Sequence, residues 1–135
     1  MNYFSAFEIS ASGMAFERLR LDVTAMNLAN ANSVRDAQGN LYQPVRVVGK
    51  AGRSFGNYLQ QAVVPHIVAA AQAPRLVHEP NHPLADAQGF IAMPNVNPVD
   101  EMLNLVTAVR GYEANVRAMN AARTMALRAL EIGAR

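Results

Sequence analysis

The chain has 135 residues, one domain's worth by length, and no cysteine, which excludes a disulfide framework and thiolate metal sites. Apolar residues make up 51% and charged residues 16%, against about 25% charged in ordinary globular domains. That balance excludes high-charge disorder and leaves a surface short of charge, as if part of it were meant to be covered. The formal net charge of +2 is too small to make a footprint for nucleic acid.

The first zone, residues 1–32, has no proline and reads as a helix. Ser5-Ala6-Phe7-Glu8 fits a capping box, with Phe4 and Ile9 placed as its hydrophobic staple. A stripe then recurs at alternating spacings of three and four: Phe4, Phe7, Ala11, Met14, Arg18, Leu21, Ala25 and Leu28. That is a heptad seam with one charged break at Arg18. Asn30-Ala31-Asn32-Ser33 favours side-chain bonding to the local backbone, and so a stop. Met1 to Ser10 lacks a cationic start and a sustained apolar run, so a cleaved signal peptide is not expected.

The middle zone, residues 33–97, holds six of the seven prolines and reads as a small β-rich insert. Strands are predicted at Leu41–Val48, with Pro44 pushing it to an edge, at Val63–Val68 and at Gly89–Met93. Turn signals lie at Gln38-Gly39-Asn40, Gly49 to Gly56 and Pro80 to Pro83. The longest stretch without a charge, Ser54 to Pro74, is too polar and too broken to span a bilayer. His78-Glu79-Pro80-Asn81-His82 matches the H-E-x-x-H zinc string, whose chemistry needs a helix so that both imidazoles share a face. Pro80 and Pro83 oppose a helix there, so an extended or turning segment without metal is expected. Arg53-Ser54-Phe55-Gly56 is too short for a phosphate loop, and nucleophile-elbow, Walker and dinucleotide strings are absent. No catalytic residue, metal or cofactor is expected.

The last zone, residues 98–135, reads as a longer helix. Asn97 is a good N-cap, Pro98 suits the first turn, and Asp100 and Glu101 complement the helix dipole. Its stripe is Met102, Leu105, Val109, Tyr112, Val116, Met119, Arg123, Ala126 and Leu130, with Gly133 as a C-terminal cap. The expected fold class is therefore mainly α with a small β-rich insert, its two long terminal helices in coiled-coil-like packing.

Laid antiparallel, the stripes pair residues whose numbers add to 134 (4 with 130, 11 with 123) and to 133 (7 with 126, 14 with 119). A slip by one heptad is equally open, as is pairing between different molecules. Asparagine is abundant, 12 in all, with Asn27, Asn30 and Asn32 closing the first helix and Asn104, Asn115 and Asn120 inside the second. Such amides either fix register across a helical interface or sit solvated.

Six segments occur in a familiar order: Ser12-Gly13-Met14, Asn27-Leu28-Ala29-Asn30-Ala31, Tyr42-Gln43-Pro44, His82-Pro83-x-Ala85-Asp86-x-x-Gly89-Phe90, Pro94-Asn95-Val96-Asn97 with Glu101-Met102, and Arg110-Gly111-Tyr112-Glu113-Ala114-Asn115. The set closely resembles the bacterial flagellar basal-body rod proteins of the proximal-rod type. Residues 50–77 follow that pattern poorly, and Leu84 stands where a charge is usual. The resemblance implies a non-enzymatic structural subunit of the periplasm-spanning rod, a torque-transmitting drive shaft for motility. It implies export by the flagellar type III apparatus, and a helical tube built with other rod subunits and with copies of itself. Neither nucleic acid nor membrane insertion is implied. The interface residues expected from the resemblance are Asn27, Leu28, Ala29 and Asn30, with Met102, Tyr112, Glu113, Ala114 and Asn115; the stripes add Phe7, Met14, Leu21, Leu105, Val109, Val116 and Met119. A free-standing helical adaptor using the same seams is the alternative.

Overall fold

A computed structural model describes residues 3–35, 38–50 and 64–133. The Arg53-Ser54-Phe55-Gly56 segment and most of the predicted Gly49–Gly56 turn lie outside the described residues. Two long helices bracket two small hairpins. Helix α1 runs Tyr3–Ala29, strands β1 Val45–Lys50, β2 Val64–Ala69, β3 Arg75–His78 and β4 Phe90–Met93 follow, and helix α2 runs Pro98–Gly133.

The helix ends follow local chemistry. Asn97 caps α2: its Oδ1 accepts the Val99 amide at 3.0 Å and its Nδ2 donates to Asp100 Oδ2 at 3.0 Å. Asn30 closes α1 by turning back, its Nδ2 donating to the Met26 carbonyl at 2.9 Å. Its own carbonyl then accepts both the Ser33 amide and the Ser33 hydroxyl. Two sequence expectations fail at the other ends. Helix α1 already starts at Tyr3, so Ser5 lies inside the first turn and is not the N-cap of a capping box. Helix α2 runs through Gly133, which is not among the glycines with positive φ and so does not act as a left-handed cap.

The strands form two separate antiparallel pairs. In the first, Val45 faces Ala69 and Lys50 faces Val64. The Ala70 amide extends that ladder to the Pro44 carbonyl at 2.8 Å. In the second, Arg75 faces Met93 and His78 faces Phe90. Strand β3 is absent from the sequence reading because its four residues, in the short stretch between Pro74 and Pro80, offer no alternation long enough to recognise. Two-stranded hairpins are marginal alone in water, so each needs an anchor on the rest of the chain.

The apolar core is thin. Its buried members among the described residues are Val23, Ala31, Ile91, Val96, Ala108 and Ala122, with Pro94 fully enclosed. None of the large stripe residues whose side chains are described is buried.

Candidate assembly interface

The two helices pack antiparallel, and their contacts fix the register. Asn115 lies across from Gly13, Glu17 across from Gly111, Arg20 reaches Thr107, and Asn27 reaches Glu101. The numbers of each pair add to 127 or 128. The apolar register, adding to 133 or 134, is therefore not the one within the chain. The seam is made instead by Ser10, Gly13, Glu17, Arg20, Thr24 and Asn27 against Glu101, Ala108, Gly111, Asn115 and Ala122. On each helix these positions stand one residue ahead of the apolar stripe, a rotation of about 100°. These contacts do not show coiled-coil-like pairing of the two apolar stripes: the intrachain seam is small and polar, with parts of both stripes half-buried beside it.

Gly13 and Gly111 explain how such a seam closes. A Cβ added at Gly13 would sit 2.5 Å from Asn115 Oδ1, and one added at Gly111 would sit 2.8 Å from Glu17 Cδ. Each helix presents a notch and fills its partner's notch with a polar side chain. Glycine inside a helix costs about 1 kcal/mol against alanine. The close approach is what offsets that cost. Glu17 is steadied by Arg20 at 2.8 Å, and Asn115 by its own bond to the Gly111 carbonyl at 2.9 Å.

Asn27 is the hub where helices and insert meet. Its side chain is 2% exposed. Nδ2 donates to the Val45 carbonyl at 2.8 Å and makes a long 3.5 Å contact to Glu101 Oε2. Oδ1 accepts the Val45 amide at 3.1 Å and the Tyr42 hydroxyl at 2.9 Å. The two amide donors and both acceptor sites are all used. Facing Val45 N–H and C=O together, the amide does what a neighbouring strand would do, and so anchors β1. Burial pushes the Tyr42 hydroxyl above the usual phenol range, with the nearby Glu101 charge adding to the rise.

The predicted interface residues fall into four groups. Asn27 is wholly used inside the chain. Asn30 and Asn115 are half-buried and bond back to their own helices. Phe7, Met14, Leu21, Leu28, Leu105, Val116 and Met119 are half-buried beside the polar seam, while Met102, Val109 and Tyr112 are exposed. Ala29, Glu113 and Ala114 are also exposed. The sequence reading missed a second apolar face on α2: Val99, Leu103 (64% exposed) and Val106 join Met102 and Val109 in open water. Their spacing of three and four makes one stripe. Met125, Leu127, Leu130 and Ile132 leave the far end of α2 apolar as well.

Both histidines of the string make local contacts. His78 ends strand β3 and packs on Phe90, ring centroids 5.0 Å apart. His82 Nδ1 accepts the Leu84 amide at 3.1 Å within the turn. Among the described residues no group of three or more His, Asp or Glu could hold a metal. The rest of that motif builds the turn into β4. Asp86 Oδ1 accepts the amides of Gln88 and Phe90, and Gly89 takes φ +80° where a Cβ would meet Pro80 at 3.0 Å.

The helical ends match known families. The flagella basal body rod protein profile matches residues 7–35, and the flagellar basal body rod FlgEFG protein C-terminal profile matches residues 87–132. The chain is 38% identical over 133 residues to flagellar basal-body rod protein FlgC of Salmonella typhimurium, covering 98% of this chain and 99% of that one. It is 37% identical over 149 aligned positions to FlgC of Bacillus subtilis, with the same coverage, and 35% identical to that of Aquifex aeolicus over 89% of each chain. The chain belongs to the FlgC family of flagellar basal-body rod proteins. This is a family of structural proteins, not enzymes. The FlgC-family residues Asn27, Tyr42 and Gly89 thus carry structural roles that the resemblance alone did not explain: a hub, its phenol donor and a left-handed turn. Among the described residues, no helix is long and apolar enough to cross a membrane.

Proposed function

We propose that this chain is a polymerising subunit of the proximal rod, joining copies of itself and other rod subunits into a tube that transmits torque. The observation that carries the reading is the exposed apolar stripe Val99, Met102, Leu103, Val106 and Val109 on a rod-family helix. With so little buried apolar core among the described residues, the larger apolar side chains are left for other surfaces. Covering them against neighbours yields on the order of 25 cal/mol per Å² of apolar surface, offset by the entropy of ordering the side chains. The half-buried flanks Phe7, Met14, Leu21, Leu28, Leu105, Val116 and Met119 widen that surface on both sides of the hairpin. Asn27 contributes from inside, by holding the hairpin in shape, and Leu28, Ala29 and Asn30 sit where neighbours meet its end.

Delivery through the flagellar type III export apparatus to the basal body in the periplasm completes the reading, on the strength of the family alone. The free-standing adaptor differs in one respect: it would keep the same stripe for a single partner. Leu103→Asp in a motile host tests the proposal. Loss of swimming and of complete rods, with the subunit still produced and folded, is the expected result. Normal rods built from that variant would overturn it.

A further inference from the structure

Hydrophobic burial alone would turn the two helices so that Met14, Leu21, Leu105 and Met119 faced one another. The chain instead leaves these four half-buried beside a polar seam, and three contacts oppose the apolar arrangement. The two notches at Gly13 and Gly111 each take a polar side chain from the other helix. The Asn27 amide ties α1 simultaneously to the β1 backbone, to Tyr42 and to Glu101 on α2. Glu101 is itself 8% exposed, in the first turn of α2, where the helix dipole favours its charge.

We propose that the Asn27–Tyr42–Glu101 cluster, with the Gly13 and Gly111 notches, is a register latch that keeps the large apolar side chains out of the intrachain seam. A slide of one heptad either way would place Asn27 opposite Ala108 or Pro94 in place of Glu101. It would place Glu17 opposite Asn104 or Ala118 and leave the Gly111 notch facing Thr24 or Ser10. A rotation combined with a slide onto the apolar register, adding to 133 or 134, keeps neither notch and pulls Asn27 from Val45. Both alternatives strand polar groups that only the observed register satisfies, and a buried amide is well suited to choosing a helical register at some cost in stability. The latch settles which of two available faces pairs inside the chain. That the freed face serves neighbouring subunits rests on the rod-subunit reading; the register choice itself does not.

The test is nuclear Overhauser spectroscopy on the isotopically labelled full chain, free in solution. The native chain is expected to show cross-peaks between Gly13 Hα and the Asn115 side-chain amide, and between Gly111 Hα and Glu17. In Asn27→Leu those cross-peaks are lost and Met14–Met119 cross-peaks replace them. Glu101→Leu leaves the Val45 bridge intact, so it serves where Asn27→Leu does not fold, and it shifts part of the intensity the same way. Native cross-peaks unchanged in Glu101→Leu, with Asn27→Leu either unchanged or merely unfolded, would overturn the latch. So would a native chain that lacks the Gly13–Asn115 contact. The spectra read the register whether or not the chain polymerises. Rods that form normally from Leu103→Asp would sink the rod-surface reading without moving these cross-peaks.

Discussion

The inner seam of the helical hairpin and the outer face of α2 have exchanged the roles usual in a soluble monomer. Inside lie Ser10, Gly13, Glu17, Thr24, Asn27, Glu101, Gly111 and Asn115; outside lie Val99, Met102, Leu103 and Val106. In a monomer the apolar stripe would be core and the polar line would be solvated. The inversion separates two jobs. Geometry is set inside by notches and hydrogen bonds, which are specific and contribute modestly. On the rod-subunit reading proposed above, adhesion would fall to the outer apolar surface, which is strong and tolerant of direction.

Breaking the outer face should have the largest consequence for assembly and the smallest for the subunit. Val106→Asp is expected to abolish rod formation and swimming while the free chain keeps its unfolding free energy within about 0.5 kcal/mol. Electron microscopy of basal bodies and a urea titration check the two halves. Breaking the inner hub should do the reverse to the subunit. Asn27→Leu leaves the Val45 amide and carbonyl and the Tyr42 hydroxyl without partners, for a loss of roughly 3 kcal/mol in chemical unfolding. Filling a notch sits between. Gly111→Leu must push Glu17 aside, with a loss of about 1–3 kcal/mol, and circular dichroism melts should show it.

A finer test of the hub uses pH. Tyr42 has its phenol raised in the folded chain, by burial first and then by Glu101, so the folded state holds that proton more tightly than the unfolded one. Its contribution is present in full below the ordinary phenol value of 10.0 and is lost as pH rises past it toward the folded value. Stability should therefore fall above that pH, and Tyr42→Phe should remove that part of the fall while costing about 1 kcal/mol at neutral pH. Identical alkaline curves for both chains would show that the phenol is not held by the hub. The smallest effect is expected at Arg117 and Glu113, an exposed ion pair at 3.4 Å. Arg117→Ala should leave the urea midpoint unchanged.

Much of the framework was legible in the chain itself. Asn97-Pro98 with Asp100 marked the start of α2, Gly39 marked a turn and takes φ +82°, and two of three predicted strands were placed nearly in register with β2 and β4. The seam was not legible, because hydrophobic periodicity points to where apolar residues sit and not to what they touch. Ala11, Met14 and Met119 recur as regularly whether the partner is α2 or another molecule. Gly13 and Gly111 stand inside otherwise good helical patterns, where glycine is unfavourable unless something approaches closely. The motif that contains Asn27 points to a helical interface or to solvent, and not to a strand. Asn27 finds its partners, Tyr42 and Val45, in a segment 15 and 18 residues away that periodicity does not connect to it. The short strand β3 had no pattern to reveal it, and it exists because β4 supplies its partner.

The most direct test of the division between inner and outer faces is thiol accessibility, which the absence of native cysteine makes clean. Leu103→Cys would be labelled with a maleimide in the free subunit and in isolated basal bodies, with Thr24→Cys as the inner control. Rapid labelling at position 103 when free and strong protection when assembled, with position 24 protected in both, is the predicted result. Equal labelling of position 103 in both states, or ready labelling of position 24 in the free subunit, would contradict it.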